Sequence, residues 1–118
     1  MKGGGFGCMT EDVRILFVDF VGLEKTVKVM SYAKGIASTV KNPISNAISK
    51  LDDRIETANV KKLKEFHDFG VLGKIDNDEI LLGNEKVMRE RNIMLKGDAA
   101  NKIFLAINNQ VQAVFKIG

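Results

Sequence analysis

The chain reads as an α+β protein: a mostly antiparallel sheet of about six strands, with a helical hairpin and one further short helix packed on it. Three observations predict this. Apolar runs at residues 71–75 and 80–82 flank Asp76-Asn77-Asp78, and Asn and Asp tolerate the left-handed backbone of a tight turn. Two consecutive stretches upstream carry apolar residues at helical spacing and are joined by a short turn. Near the end of the chain Val111, Ala113, Phe115 and Ile117 alternate strictly, which puts one face of a strand on a core. Successive hairpins make neighbouring strands antiparallel, and amphipathic helices then cover the sheet.

In order, residues 13–20 are rich in β-formers and predict a strand, which Gly22 breaks. Leu23, Val27, Met30 and Ala33 then fall on one face of a helix that fades over residues 35–39. Asn42-Pro43 is an N-cap followed by a first-turn proline, and Ile44, Ile48, Leu51 and Ile55 give the next helix its apolar stripe. Residues 60–69 are basic and partly alternating, with Leu63 and Phe66 apolar, and predict a strand. The hairpin over residues 71–82 follows, and Gly83-Asn84 opens a helix from Glu85. That helix buries Val87, Met88 and Ile93 and ends in the loop at Lys96-Gly97-Asp98. Lys102–Ile107 and residues 111–117 complete the sheet around Asn108-Asn109-Gln110, a sequence compatible with a two-residue hairpin turn.

Composition bounds the function. A chain of 118 residues supports one domain with a core, here residues 13–118, preceded by a leader at residues 1–12 that is glycine-rich and expected to be flexible. No apolar run is long enough to span a membrane as a helix. A single cysteine, Cys8, and a single histidine, His67, cannot make an internal disulfide or a protein-only zinc site. The net charge of +3 invites a nucleic-acid reading, but the basic residues are dispersed, and Lys61, Lys62 and Lys64, the densest group, have acidic neighbours. There is one tyrosine and no tryptophan to stack on bases, so a solvated basic face is the better account.

Four segments, in order, resemble the nucleotide-binding domain of P-type ATPases of the heavy-metal-transporting subclass. Asn42-Pro43-Ile44-Ser45-Asn46-Ala47-Ile48 is similar to that family's S-E-H-P helix start. Gly70-Val71-Leu72-Gly73-Lys74-Ile75 is similar to the end of its G-x-G loop and the strand that follows. Ile80-Leu81-Leu82-Gly83-Asn84-Glu85-Lys86-Val87-Met88 is similar to its strand ending in G-N, and Phe104-Leu105-Ala106-Ile107-Asn108-Asn109-Gln110-Val111 to its closing hairpin. Together they span nearly the whole chain. The resemblance implies ATP, with Mg²⁺ bound to it, as the ligand, and Lys41, Asn42, Gly70, Gly83 and Asn84 as the nucleotide-binding residues of one cleft.

The same resemblance implies an altered site. The family addresses adenine with a glutamate and a histidine before the proline, and here those places hold Lys41 and Asn42. Lysine offers no acceptor and asparagine no ring. Losing one stack and one hydrogen bond costs about 2–4 kcal/mol of binding. Asp68 replaces the first glycine of the G-x-G loop. Phe6-Gly7-Cys8-Met9-Thr10 stands where the family has K-T-G-T-L-T, which puts Gly4 or Gly5 at the place of the phosphorylated aspartate.

The resemblance therefore implies a nucleotide-binding fragment of an ATP-driven ion pump. It would lie on the cytoplasmic side of a membrane without touching it, be monomeric alone, and perform no catalysis by itself. Its partners would be adenine nucleotide and the phosphorylation and actuator domains of the parent pump, with no nucleic acid. The rival is a regulatory or interaction module that keeps the fold and has lost ATP. Individual residues also carry plainer readings: Asn42 as an N-cap, Gly70 as a turn residue, Lys41 as a solvated cation, His67 as a surface histidine, and Asp76, Asp78 and Glu79 as a polar hairpin tip rather than a cation site.

Overall fold

The structure is a computed structural model and describes residues 13–66, 69–95 and 97–118. The leader with Cys8, the dipeptide His67-Asp68 and Lys96 lie outside the described residues. Nine elements follow one another: β1 (Ile15–Phe20), α1 (Thr26–Ala37), α2 (Pro43–Ser49), β2 (Lys61–Glu65), β3 (Gly70–Ile75), β4 (Asp78–Gly83), α3 (Glu85–Glu90), β5 (Lys102–Ile107) and β6 (Gln110–Ile117). The six strands form one sheet in the order β1-β6-β5-β4-β3-β2, and every pairing is antiparallel.

The hairpin chemistry read from the sequence places the turns. Asn108 and Asn109 both have positive φ, 52° and 68°, the backbone of a two-residue turn whose twist matches that of its strands. At the β3–β4 turn Asp76 takes the left-handed conformation, φ 53°, and Ile75 pairs with Asp78.

Because side chains alternate along a strand, the sheet has two faces to cover. On one, Val29, Ala33 and Ile36 of α1 and Ile48 of α2 pack on Ile80, Leu82, Leu105 and Phe115. On the other, Val87 and Met88 of α3 pack on Leu81, Phe104 and Ala106. The helical hairpin and the short helix thus lie on opposite faces.

Two helical details differ from the sequence reading. The helix predicted from Leu23 begins at Thr26, and Leu23 and Val27 are exposed, 102% and 64%, because the buried face runs through Val29, Ala33, Ile36 and Ala37. The stripe from Ile44 to Ile55 is only partly helical, since α2 ends at Ser49. Leu51 and Ile55 reach the same core from a loop. That loop is held by Lys34, whose buried ammonium donates to the carbonyls of Asp52 and Ile55 at 2.7 and 2.9 Å. A helical continuation past Ser49 would forfeit these bonds.

Candidate functional site

The start of α2 is the structural centre of the candidate site. Asn42 is extended, and its Oδ1 accepts from the backbone N–H of Ser45 at 2.7 Å, so the N-cap function read from the sequence is real. Pro43 follows in the first turn. Across from them the chain returns from β2 into β3 through Phe66, Phe69 and Gly70, with the Phe66 N–H donating to the Gly70 carbonyl at 2.9 Å. The space between is a cavity of about 380 Å³, walled by Val40, Asn42, Ile44, Glu65, Phe69 and Gly70, with the Phe66 ring also on its lining. A second cavity of about 640 Å³ adjoins it, shares Val13, Asn42 and Pro43, and is lined further by Lys41, Asn46 and Lys50. One compartment is apolar and aromatic; the other is basic.

The five residues implied by the resemblance fall into two groups. Asn42 and Gly70 face each other across the first cavity, and Lys41 lines the second. Gly83 and Asn84 sit one strand further on. Gly83 pairs with Gly70, and the Asn84 N–H donates to the Phe69 carbonyl at 3.1 Å. The Asn84 side chain caps α3 by accepting from the Val87 N–H at 3.1 Å. These two residues hold the Phe69–Gly70 segment from behind and do not line either cavity.

The glycines have a packing cause. A Cβ on Gly70 would lie 2.7 Å from Val87 Cγ2, and one on Gly83 would lie 3.0 Å from Val87 Cγ1. Neither glycine is among the residues with positive φ. Val87 of α3 occupies the space their side chains would need, on the face opposite α1, while Gly70 contributes its backbone to the cavity.

Sequence reasoning passed over two lining residues. Glu65 and Phe69 fall within residues 60–69, which the sequence marks only as a strand. Their proximity to Asn42 is a long-range fact, with more than twenty positions of sequence between them.

A larger cavity of about 790 Å³ opens on the α3 face of the sheet, between Phe17, Val21, Met94 and Phe104. It is an open groove over the part of the sheet that α3 does not cover, and none of Lys41, Asn42, Gly70, Gly83 and Asn84 lines it. Size alone does not make it the site. Among the described residues no group of three or more His, Cys, Asp or Glu side chains is placed to hold a metal ion, and no helix is long and apolar enough to cross a membrane.

No protein-family model and no curated protein matches the chain. Solved structures do. The N-domain of HMA6, a copper-transporting P-type ATPase, superposes with a TM-score of 0.67 at 16% identity, covering 91% of this chain and 99% of that one. The N-domain of HMA8, another copper-transporting P-type ATPase, gives 0.69 at 18% identity over 89% and 99%. The catalytic domain of the CPx-ATPase CopB-B, described for its conformational changes upon nucleotide binding, gives 0.67 at 23% identity, with 90% of this chain matching 37% of that one. A zinc-transporting PIB-type ATPase gives 0.66 at 8% identity, and there the chain spans 19% of the pump. The chain has the fold of the N-domain of heavy-metal-transporting P-type ATPases.

Proposed function

We propose that the chain binds ATP as the nucleotide-binding domain of a heavy-metal-transporting P-type ATPase, with altered and weakened recognition of the base. The observation that carries this reading is the pair of adjoining cavities at the start of α2, one apolar and aromatic, the other lined by Lys41 and Lys50. A nucleoside triphosphate has the same division into a flat, largely apolar base and a polyanionic tail. The smaller cavity falls in the size range of small-molecule sites. The fold is that of domains whose parent pumps use ATP, and CopB-B responds to nucleotide.

The domain's own work is to bind and orient. Asn42 and Gly70 frame the base with Lys41 beside them, Lys50 meets negative charge, and Gly83 and Asn84 brace the Phe69–Gly70 segment. Mg²⁺ carried by the nucleotide would neutralise charge on its phosphates. The γ-phosphate would be presented to an aspartate on a neighbouring domain of the parent pump, at the cytoplasmic side of the membrane. Phosphoryl transfer depends mostly on positioning and charge stabilisation, so a domain without a nucleophile still contributes to it.

The test is calorimetric titration of the chain, of Asn42→His, and of the double variant Asn42→His/Lys41→Glu with ATP at fixed salt. One equivalent of ATP should bind. The restored ring should tighten binding by roughly 5- to 100-fold, and the restored acceptor should tighten it further. Low-micromolar binding by the wild type with no gain from either change overturns the weakened-affinity part. Absence of heat with all three proteins at millimolar ATP overturns the reading and leaves an interaction module that keeps the architecture alone.

A further inference from the structure

The loss of a glutamate and an aromatic ring before Pro43 leaves open what recognises the base. We infer that in this chain the recognition has moved across the cleft: Phe69 is the stacking platform, and Glu65 is the acceptor for an exocyclic amino group. The inference rests on the reading of the cleft as a nucleotide site.

Phe69 packs against the same core cluster as Ile44, so its ring is anchored, and it lines the cavity directly opposite the start of α2. Its backbone is fixed as well, because its carbonyl accepts from the Asn84 N–H at 3.1 Å. An anchored ring loses little entropy when a base is laid on it. Among the described residues, Phe66 is the other aromatic residue on the lining, but it packs toward α3 and already carries the Lys64 ammonium 5.0 Å from its centroid. Phe69 is therefore the free platform of the two.

Among the described residues, Glu65 is the one carboxylate on this cavity's lining. Its present partner is Lys62 at 3.2 Å, in a pair with side chains 41% and 54% exposed. Such pairs contribute little and exchange readily for a better donor. A carboxylate at the rim of an apolar slot accepts from an amino group and repels a carbonyl oxygen presented at the same position. The opposite wall cannot take this role. Lys41 has no acceptor, and Asn42 Oδ1 is engaged by the Ser45 N–H. The site is thus expected to favour adenine over unsubstituted purine, which carries a hydrogen in place of the amino group.

The experiment titrates wild type, Phe69→Leu and Glu65→Leu with ATP and with purine riboside triphosphate, whose base edge differs by that exchange. The wild type should prefer ATP roughly tenfold or more, because a charged acceptor facing a C–H is left unpaired. Phe69→Leu keeps the apolar volume and should weaken ATP by roughly 5- to 100-fold. Glu65→Leu, which has no acceptor, should erase the preference. Should Phe69→Leu prove unfolded by circular dichroism, Phe69→Trp serves instead. The chain has no tryptophan, so the introduced indole is a sole reporter whose fluorescence should be quenched saturably by ATP. If the wild type binds ATP but neither substitution changes affinity or preference, or the indole is silent, the relocation is wrong and the nucleotide reading stands. If the wild type binds neither nucleotide, both fall.

Discussion

Val87 shows how one side chain determines its neighbours' identities. Its two methyl groups fill the room over Gly70 and Gly83, which pair directly across β3 and β4. An added methyl at Gly70 must displace either Val87 or the Phe66 ring, whose Cδ2 would be 3.3 Å away. Gly70→Ala is therefore expected to destabilise the fold by about 1–3 kcal/mol, the usual cost of overpacking. Combining it with Val87→Ala should recover part of that loss, because the smaller helix residue vacates the space. Urea unfolding of the two single variants and the double variant measures the coupling, and strict additivity would show that Val87 is not the obstacle.

At the scale of elements, the two hairpin turns are tied together and to α1. The Asp78 carboxylate accepts from the Asn108 amide at 3.0 Å and from the Tyr32 hydroxyl at 3.1 Å, with the Lys28 ammonium 3.7 Å away. Asn108 in turn accepts from the Glu79 N–H at 2.9 Å, and its own N–H donates to the Glu79 carbonyl at 2.8 Å. The Asn108 amide above all, then the Tyr32 hydroxyl and Lys28, hold Asp78 below its ordinary value of 3.8. Burial, followed by the bond to Asp78, raises Tyr32 above its ordinary 10.0. The signs are opposite in consequence. A depressed carboxylate contributes stability above its unfolded pKa and loses it as pH falls, so this contribution should fade below about pH 4. A raised phenol contributes stability below its unfolded pKa and loses it as pH rises through the folded value. Melting curves should show a shallower acid-side loss in Asp78→Asn than in wild type. Identical acid limbs would mean that the network does not report on Asp78.

At the scale of the whole molecule, the two edges of the sheet are unlike. The β2 edge is exposed and carries Lys61, Lys62 and Lys64, with an irregular register at Lys62/Lys64, both common devices against edge-to-edge pairing. The β1 edge has its own irregularity between Ile15 and Phe17, yet leaves Leu16 58% and Phe17 53% exposed. β1 carries one charge, Asp19, against three lysines on β2, and apolar residues exposed on an edge favour association. Phe17→Lys is expected to raise the solubility of the chain with little change in melting temperature, since the ring is only half-buried. Light scattering across a concentration series checks this, and equal scattering from both proteins would refute it.

The α+β class, the antiparallel order, the turns at Asp76 and at Asn108-Asn109, and the N-caps at Asn42 and Asn84 were legible in the residues, because each depends on spacing or on the local chemistry of one side chain. Three things depended on the tertiary structure. Helix rotation was one: Leu23, Val27, Met30 and Ala33 had the period of a buried stripe, but the sheet kept Met30 and Ala33 and took Val29 and Ile36 in place of Leu23 and Val27. The end of α2 was another, since Leu51 and Ile55 kept helical spacing while Lys34 drew their loop onto α1. The third was the composition of the cleft. Lys41 and Asn42 marked one wall from sequence, but Glu65 and Phe69 join them only because β3 lies beside β2 and returns the chain past the start of α2. Period and propensity act over a few residues, whereas contact across the sheet is decided when the whole core closes.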